Sequence, residues 1–235
     1  MRYMTELVLL PGMDGTAKLF DPFIAALGNH IPTRAIAYPP GGVTGYPELA
    51  AWIRPKLPRG DFVLLGESFG GPLAARLAAE RPASLRGLIL CATFLSNPRP
   101  AARHLSPLIG LLGMSRPAAT IASPALLGWR PTAEARKQFI ASVGALTAST
   151  LQGRLRAVLA SDGAGRFSGI DVPVLCLRAT RDWLVPRSAA KEVQAILPTV
   201  RIVDVDGAHA LLLTAPKACA ALVEEFIGML PPLVP

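Results

Sequence analysis

Short apolar runs alternate along the chain with stretches whose apolar residues recur at helical spacing. Most of the short runs are apolar throughout, which is typical of parallel strands covered by helices on both faces. They lie at 5–10, 33–38, 61–66, 87–92, 173–178 and 200–205. Helical spacing occurs near residues 19–28, 46–57, 68–81, 187–197 and 215–229. The alternation predicts an α/β fold with a mostly parallel sheet of about six strands flanked by helices.

The alternation stops between residues 97 and 169. This segment is rich in proline, glycine, alanine and arginine, and it contains several amphipathic stretches of helical length but no convincing strand. It therefore predicts a helical insertion between two strands of one sheet. Under this interpretation, residues 1–96 and 170–235 form one core domain that carries the insertion.

Positive charge is concentrated in the same segment. The whole chain has a formal net charge of +8, and residues 97–169 contain nine basic but only two acidic residues. A solvated basic face is the simplest interpretation, and a docking surface for an acidic partner is the alternative. Nucleic acid is disfavoured as a partner because no aromatic residues interleave with these arginines and no binding motif is present.

Composition excludes several classes of protein. The chain has 235 residues, of which 51% are hydrophobic and 17% charged, so a sizeable core is expected. No apolar run approaches the roughly 18 residues needed to cross a bilayer, and Glu6 interrupts any signal-peptide pattern. We therefore expect a cytoplasmic protein with no membrane span. The three cysteines are far apart in the sequence, which favours free buried thiols. No residues have the spacing of metal ligands, so we expect the protein to use neither a metal nor a cofactor.

The stretch GESFGG, residues 66–71, follows a predicted strand and precedes a predicted helix. G-x-S-x-G in this context is typical of a nucleophile elbow, in which a strained turn lifts a serine hydroxyl above the sheet. Side chains at Gly66 and Gly70 would clash across so tight a turn. Ser68 is therefore the candidate nucleophile, and a purely structural strand-to-helix turn is the alternative.

A nucleophilic serine needs a base. His209 lies just past the last predicted strand, where catalytic groups of parallel sheets collect. His30 follows the first predicted helix and His104 opens the insertion, so neither follows a strand. His209 is the candidate base.

The base in turn needs an acid that orients it. Asp182 follows the predicted strand 173–178, and His209 follows the next predicted strand, 200–205. The two loops should therefore emerge at the same edge of the sheet. Asp204 and Asp206 compete for the role, but they lie on or beside the histidine's own strand, where capping of a turn is their simpler explanation. Asp182 is the candidate acid.

An acyl-transfer site also needs hydrogen-bond donors for an oxyanion. One should be the N–H of Phe69, directly after the nucleophile, and another should come from the loop after the first strand. That loop contains LLPGMDG, a shaped turn in which Met13 is the predicted second donor.

These motifs together resemble the α/β-hydrolase superfamily over essentially the whole chain. The matching stretches are LLPGMDG for the oxyanion loop, GESFGG for the elbow, RDWLVP for the acid loop and DGAHALLL for the histidine loop. Within the superfamily the chain is similar to small capped bacterial carboxylesterases, among them the pimeloyl-acyl-carrier-protein methyl ester esterases. It departs from many of them in having Pro11-Gly12 where they have His-Gly.

The resemblance implies a serine esterase acting on short- to medium-chain acyl esters, with the segment 97–169 as a cap over the site. Apolar residues of the cap are then candidates for an acyl pocket, although most must form the core of the cap itself. The predicted pocket residues are Leu108, Leu112, Met114 and Trp129. The cap arginines are candidates for docking an acyl carrier protein or the far carboxylate of a substrate.

Two alternatives stay open at this point. A thioesterase or acyltransferase would use the same residues on carrier-bound acyl groups. A non-catalytic ligand-binding protein on the same fold is the competing class, because fold does not dictate function. The intact Ser-Asp-His order argues against that class, since a protein that only binds has no need for all three.

Overall fold

The computed structural model describes residues 5–39, 41–101, 104, 109, 116–163 and 167–231. Six strands form one sheet there, and every neighbouring pair is parallel. In chain order the strands are β1 (Glu6–Leu10), β2 (Thr33–Ala35), β3 (Phe62–Glu67), β4 (Leu85–Cys91), β5 (Val174–Ala179) and β6 (Arg201–Val205). They lie in the order β2-β1-β3-β4-β5-β6, which confirms the predicted α/β fold.

Helices connect the strands and cover the sheet. They are α1 (Asp21–Leu27), α2 (Tyr46–Ile53), α3 (Gly70–Ala79), α4 (Arg116–Leu127), α5 (Ala133–Val143), α6 (Ala148–Leu159), α7 (Arg187–Ile196), α8 (Leu211–Thr214) and α9 (Pro216–Gly228). The five helices predicted outside the insertion correspond to α1, α2, α3, α7 and α9, each somewhat shorter than its predicted range.

Both faces of the four central strands, β1, β3, β4 and β5, are buried, which explains why these strands are almost entirely apolar. Along β1, Leu7 and Leu9 pack toward α1 and α9, whereas Val8 and Leu10 pack toward α2, α3 and α7. All four side chains are fully buried. Burial of such a side chain contributes about 1.5–3 kcal/mol, so both faces of the central strands stabilise the fold.

Strand β2 ends three residues before its predicted limit. Beyond Ala35 the chain leaves the sheet and follows the loop after β1, where the N–H of Tyr38 donates to the carbonyl of Gly15 at 2.8 Å. The apolar pattern continues past Ala35 because Ile36 is buried in the core beside β1 and Tyr38 is buried against that loop, although neither lies in a strand.

Helices α4, α5 and α6 lie between β4 and β5, within the predicted insertion. The side chains of Thr132 and Thr147 accept hydrogen bonds from backbone N–H groups three residues later and so begin α5 and α6. An apolar cluster joins α4 and α5 to the loops that follow β1 and β6; its buried members are Leu19, Ala119, Leu127, Ala135, Phe139, Val143, Ala210 and Leu213. The inserted helices therefore rest on the edge of the sheet where the strands end.

Three further expectations concern the chain as a whole. Among the described residues, no helix has the length and apolar character that spanning a bilayer requires, and the cytoplasmic location stays a prediction. Nor do the described ranges contain a cluster of His, Cys, Asp or Glu suited to a metal ion. Cys91, Cys176 and Cys219 are free and buried, as predicted, and burial raises the pKa of Cys176 to about 12.

Candidate active site

Ser68 lies in the sharp turn between β3 and α3. Its φ angle is +52°, in the left-handed region that residues with a side chain rarely adopt. The turn is tied to the end of β4, because the N–H of Ser68 donates to the carbonyl of Cys91 at 2.9 Å. The carbonyl of Ser68 accepts from the N–H of Gly71 and from the hydroxyl of Thr93. The strained conformation is therefore over-determined by hydrogen bonds on both sides of the serine.

The glycines around Ser68 are required by close backbone contacts. A Cβ at Gly66 would overlap the carbonyl of Gly70, and a Cβ at Gly70 would overlap the carbonyl of Leu10. A Cβ at Gly71 would overlap the side chain of Thr93, which follows β4. Any side chain at these positions would push apart the strand, the turn or the helix.

The structure brings Ser68, His209 and Asp182 together from three different loops. Nε2 of His209 lies 2.7 Å from Oγ of Ser68, and Nδ1 of His209 lies 2.7 Å from Oδ2 of Asp182. The side chains of His209 and Asp182 are almost fully buried, at 4% and 5% exposure, while Ser68 remains partly accessible. The loops after β3, β5 and β6 therefore converge on one line of hydrogen bonds that ends at an accessible hydroxyl.

The hydrogen bonds of Asp182 determine the tautomer of His209. Oδ1 accepts from the N–H groups of Leu184 and Val185, each at 2.9 Å, so the carboxylate is held in one orientation. An ionised carboxylate only accepts, and therefore Nδ1 of His209 donates to it. Nε2 is then free to accept the proton of Ser68, which is the arrangement that general-base catalysis requires.

The competing candidates lie elsewhere. Asp204 forms a bidentate pair with Arg178, and Asp206 bonds to Thr180 and Arg181. His30 and His104 are exposed on the surface, remote in sequence from the three converging loops.

The loop after β1 passes directly beside the serine. A Cβ at Gly12 would lie 3.6 Å from the Cβ of Ser68. In the described part of the chain, neither the N–H of Met13 nor that of Phe69 donates a backbone hydrogen bond. Asp14 shapes this loop, because its carboxylate accepts from the N–H of Thr16 at 2.9 Å. The loop that carries Met13 thus lies beside Ser68, and the role of the Met13 and Phe69 N–H groups as oxyanion donors stays a prediction.

Glu67 is a buried carboxyl group to which sequence reasoning assigned no role. It directly precedes Ser68, is 6% exposed, and accepts from the N–H of Leu212 at 3.1 Å. Burial raises its pKa to about 7, while the hydrogen bond from the N–H of Leu212 opposes that rise. A carboxylate that ends an otherwise apolar strand was the available sequence signal.

Arg154 is the second group that sequence reasoning missed. It projects from α6, is 2% exposed, and its Nη1 donates to the carbonyl of Met13 at 2.6 Å. Nothing in the local sequence separates it from the other arginines of the segment 97–169.

Arg154 is therefore an exception to the solvated basic face, because the other basic residues of the segment whose side chains are described are exposed: Arg99, Arg130, Arg136, Lys137 and Arg156. Arg154 is buried against the loop after β1, and Arg99 donates to the carbonyls of Trp183 and Leu184. Both bind backbone carbonyls, for which the several N–H groups of a guanidinium are well suited.

The predicted pocket residues are only partly within the described structure. Leu108, Leu112 and Met114 lie outside the described residues. Trp129 is 73% exposed, and its ring centre lies 6.3 Å from that of Trp183, the residue after Asp182. Trp129 lies at a surface cavity of about 360 Å³ that also touches Ala208 beside His209. Its contact with an acyl group stays a prediction.

Comparison with known proteins shows to which family and to which relatives the chain is similar. The sequence profile of a family described as serine aminopeptidase, S33, matches residues 47–213. The chain is 28% identical over 245 residues to a pimeloyl-acyl-carrier-protein methyl ester esterase of Aromatoleum aromaticum, covering 94% of this chain and 98% of that relative.

Solved structures agree on the architecture. An enol-lactonase from Burkholderia xenovorans matches with a TM-score of 0.81 at 18% identity, over 97% of this chain and 94% of that one. A thermophilic esterase from Thermogutta terrifontis matches with a TM-score of 0.80 at 17% identity, over 95% and 89% of the two chains. At these identities the likeness establishes the fold and leaves the substrate open.

Proposed function

Because the chain belongs to the serine aminopeptidase S33 family of α/β hydrolases, we propose that it hydrolyses carboxylic esters through an acyl-enzyme intermediate. Family membership and the esterase relative support hydrolase chemistry of the serine type. The observation that carries the finer proposal is the pair of 2.7 Å contacts that link Ser68, His209 and Asp182.

In the first step, Oγ of Ser68 attacks the acyl carbon of the ester. Nε2 of His209 takes the serine proton and then donates it to the oxygen of the leaving alcohol. Asp182 holds the imidazole in the required tautomer and stabilises its positive charge. The N–H groups of Met13 and Phe69 donate to the oxyanion that develops on the former carbonyl oxygen.

In the second step, water releases the acyl group. His209 takes a proton from the water as the water oxygen attacks the acyl carbon, and it returns that proton to Oγ of Ser68 when the ester bond to serine breaks. The products are the free carboxylic acid and the restored serine. The step needs no group beyond the residues already named.

The segment 97–169 is proposed to act as a cap on the core formed by residues 1–96 and 170–235. Support comes from the apolar cluster through which α4 and α5 rest on the loops after β1 and β6. Acyl pockets form where such a layer excludes water above the nucleophile. The cap is therefore proposed to set the preferred acyl length, with Trp129 at its margin.

A carrier-bound acyl substrate is the second candidate. The relative from Aromatoleum aromaticum is named for a substrate on an acyl carrier protein, and the segment 97–169 has nine basic residues against two acidic ones. Acidic proteins associate readily with such surfaces. A thioesterase or acyltransferase would use the same serine, histidine and aspartate.

The test compares wild type with Ser68→Ala on p-nitrophenyl esters from acetate to laurate. We expect kcat/KM to fall by about 10³-fold or more in S68A, because the acyl-enzyme can no longer form. Ser188→Ala, an exposed serine on α7, is the matched control and should keep wild-type activity. Retained turnover in S68A would overturn the proposal.

An organophosphonate probe separates the remaining classes. If wild type hydrolyses no free ester but Ser68 is phosphonylated, the carrier-bound candidate takes precedence. If Ser68 does not react at all, the protein is a non-catalytic ligand binder.

A further inference from the structure

Arg154 is a buried cation that the proposed reaction does not use directly. It lies on α6 of the proposed cap, yet its guanidinium reaches the loop after β1 and donates to the carbonyl of Met13 at 2.6 Å. A buried charge destabilises a fold unless it is well paired. Its burial lowers the pKa of Arg154, and the carboxylate of Asp14 partly opposes that shift.

The surroundings of the guanidinium are shaped to receive it. Its central carbon lies 5.2 Å from the ring centre of Tyr38 and 6.0 Å from that of Phe69. A Cβ at Gly15 would lie 2.6 Å from Nη1, so only glycine leaves the space. Asp14, also buried, supplies negative charge in the same loop. These contacts place the cation in one position against the loop.

Two carbonyls of that loop are held from outside. The hydroxyl of Tyr38 donates to the carbonyl of Pro11 at 2.7 Å, and Arg154 donates to the carbonyl of Met13. These carbonyls belong to the peptide groups on either side of the one that joins Gly12 to Met13. That middle peptide carries the N–H of Met13, and planar neighbours in fixed orientations restrict how it can rotate.

We propose that Arg154 is a positioning residue, through which the cap helix α6 holds the Met13 N–H in the orientation that binds the oxyanion. The inference rests on the proposed function of Ser68 and assigns to the cap a part in building the oxyanion site. Arg154 itself touches no reacting atom. Oxyanion donors must lie within a narrow range of positions. Without the hydrogen bond from Arg154 to the Met13 carbonyl, the enzyme should therefore lose catalytic rate while it still binds substrate.

The experiment measures the second-order rate at which a fluorophosphonate labels Ser68, followed by mass spectrometry of the elbow peptide. The phosphoryl oxygen of the probe occupies the oxyanion position, so the rate reports that site without knowledge of the natural substrate. In Arg154→Met we expect labelling about 10- to 100-fold slower, below the effect of deleting a donor outright. On p-nitrophenyl butyrate, kcat should fall similarly while KM changes less than about threefold.

Two controls on the same helix separate positioning from general loosening. Arg156→Met makes the same chemical change at an exposed position, and Leu151→Ala removes another buried side chain of the same helix. Both should label within about twofold of wild type, even if L151A lowers the melting temperature. Equal slowing in L151A and R154M would overturn the inference.

Arg154→Lys keeps a charged donor but lacks the planar group over Tyr38, so it should label about three- to tenfold slower than wild type. If R154M does not fold, this variant alone decides: a wild-type rate in R154K overturns the inference. If wild-type Ser68 is not labelled, the proposed function is wrong, and the inference, which depends on that function, is rejected as well. Wild-type labelling that is unchanged in R154M rejects the inference and leaves the function standing.

Discussion

The turn around Ser68 and the helical segment α4–α6 differ in the extent to which residues nearby in sequence determine their geometry. In the turn, Gly66 and Gly70 are four residues apart, and a Cβ at Gly66 would overlap the carbonyl of Gly70. The constraint is local and steric, so the glycine pattern alone predicts it. A strand before the turn and a helix after it complete the prediction.

The inserted segment lacks such constraints. Arg154 and Arg156 are two residues apart on α6, yet Arg154 is buried against the loop after β1 and Arg156 is exposed. Their sequence neighbourhoods are nearly the same, and only the surface against which the helix packs makes them different. A composition rich in arginine therefore says where charge is concentrated but not what each arginine contacts.

This contrast has a consequence for function. The groups that perform the proposed chemistry follow from local patterns at the ends of strands. Glu67, which precedes Ser68, and Arg154, which binds Met13, instead make contacts with residues more than 140 positions away. Mutations in the two classes should therefore differ in kind, with effects that can be ranked.

The largest effect is expected in the turn itself. Gly66→Ala places a Cβ in the backbone of the following helix, which should lower the free energy of unfolding by about 3 kcal/mol or more, or prevent folding. Gly60→Ala is the matched control, because a Cβ there meets nothing within 4 Å. Urea unfolding of both variants checks this. Similar stability of G66A and G60A would show that the turn can relax, and that the steric argument for the elbow is wrong.

A smaller effect is expected from the charge of Glu67. Its pKa is about 7 in the folded protein against an ordinary value of 4.5, so its contribution is fully present below pH 4.5 and is lost as the pH rises through 7. The loss should approach about 3 kcal/mol, since one pKa unit corresponds to about 1.4 kcal/mol. The side chain introduced by Glu67→Gln cannot ionise. Between pH 5 and pH 8 the free energy of unfolding of wild type should therefore fall relative to that of E67Q.

Urea unfolding at the two pH values measures that difference. Glu48→Gln, at an exposed position on α2, should keep the wild-type pH dependence. An E67Q protein that tracks wild type at both pH values would mean that burial does not disfavour the charged form of Glu67.

The smallest effect on stability is expected at Trp129, which belongs to the inserted segment. Its ring is mostly exposed, so Trp129→Ala should change the free energy of unfolding by less than about 0.5 kcal/mol. If it contacts acyl chains, KM should rise about threefold or more for p-nitrophenyl octanoate and stay near wild type for the acetate. Ile121→Ala, at an exposed apolar residue of α4, is the control. Equal KM changes on both esters would remove Trp129 from the acyl site.

The six strands, their parallel arrangement and the family were all predictable because each depends on patterns within a few residues. The limits of β2 were not, since Ile36 and Tyr38 are buried without lying in a strand and so extend the apolar pattern. Leu108, Leu112 and Met114 remain predictions as pocket residues, because they lie outside the described part of the chain.

By itself, the sequence determined which loops carry Ser68, Asp182 and His209, because the carboxyl ends of parallel strands meet at one edge whatever covers the sheet. Only the tertiary structure decided that α8 binds the carboxyl group of Glu67 and that α6 binds the carbonyl of Met13. Those contacts depend on how helices pack against loops distant in sequence. Apolar periodicity specifies which face of a helix is buried, but it does not specify which distant group that face meets.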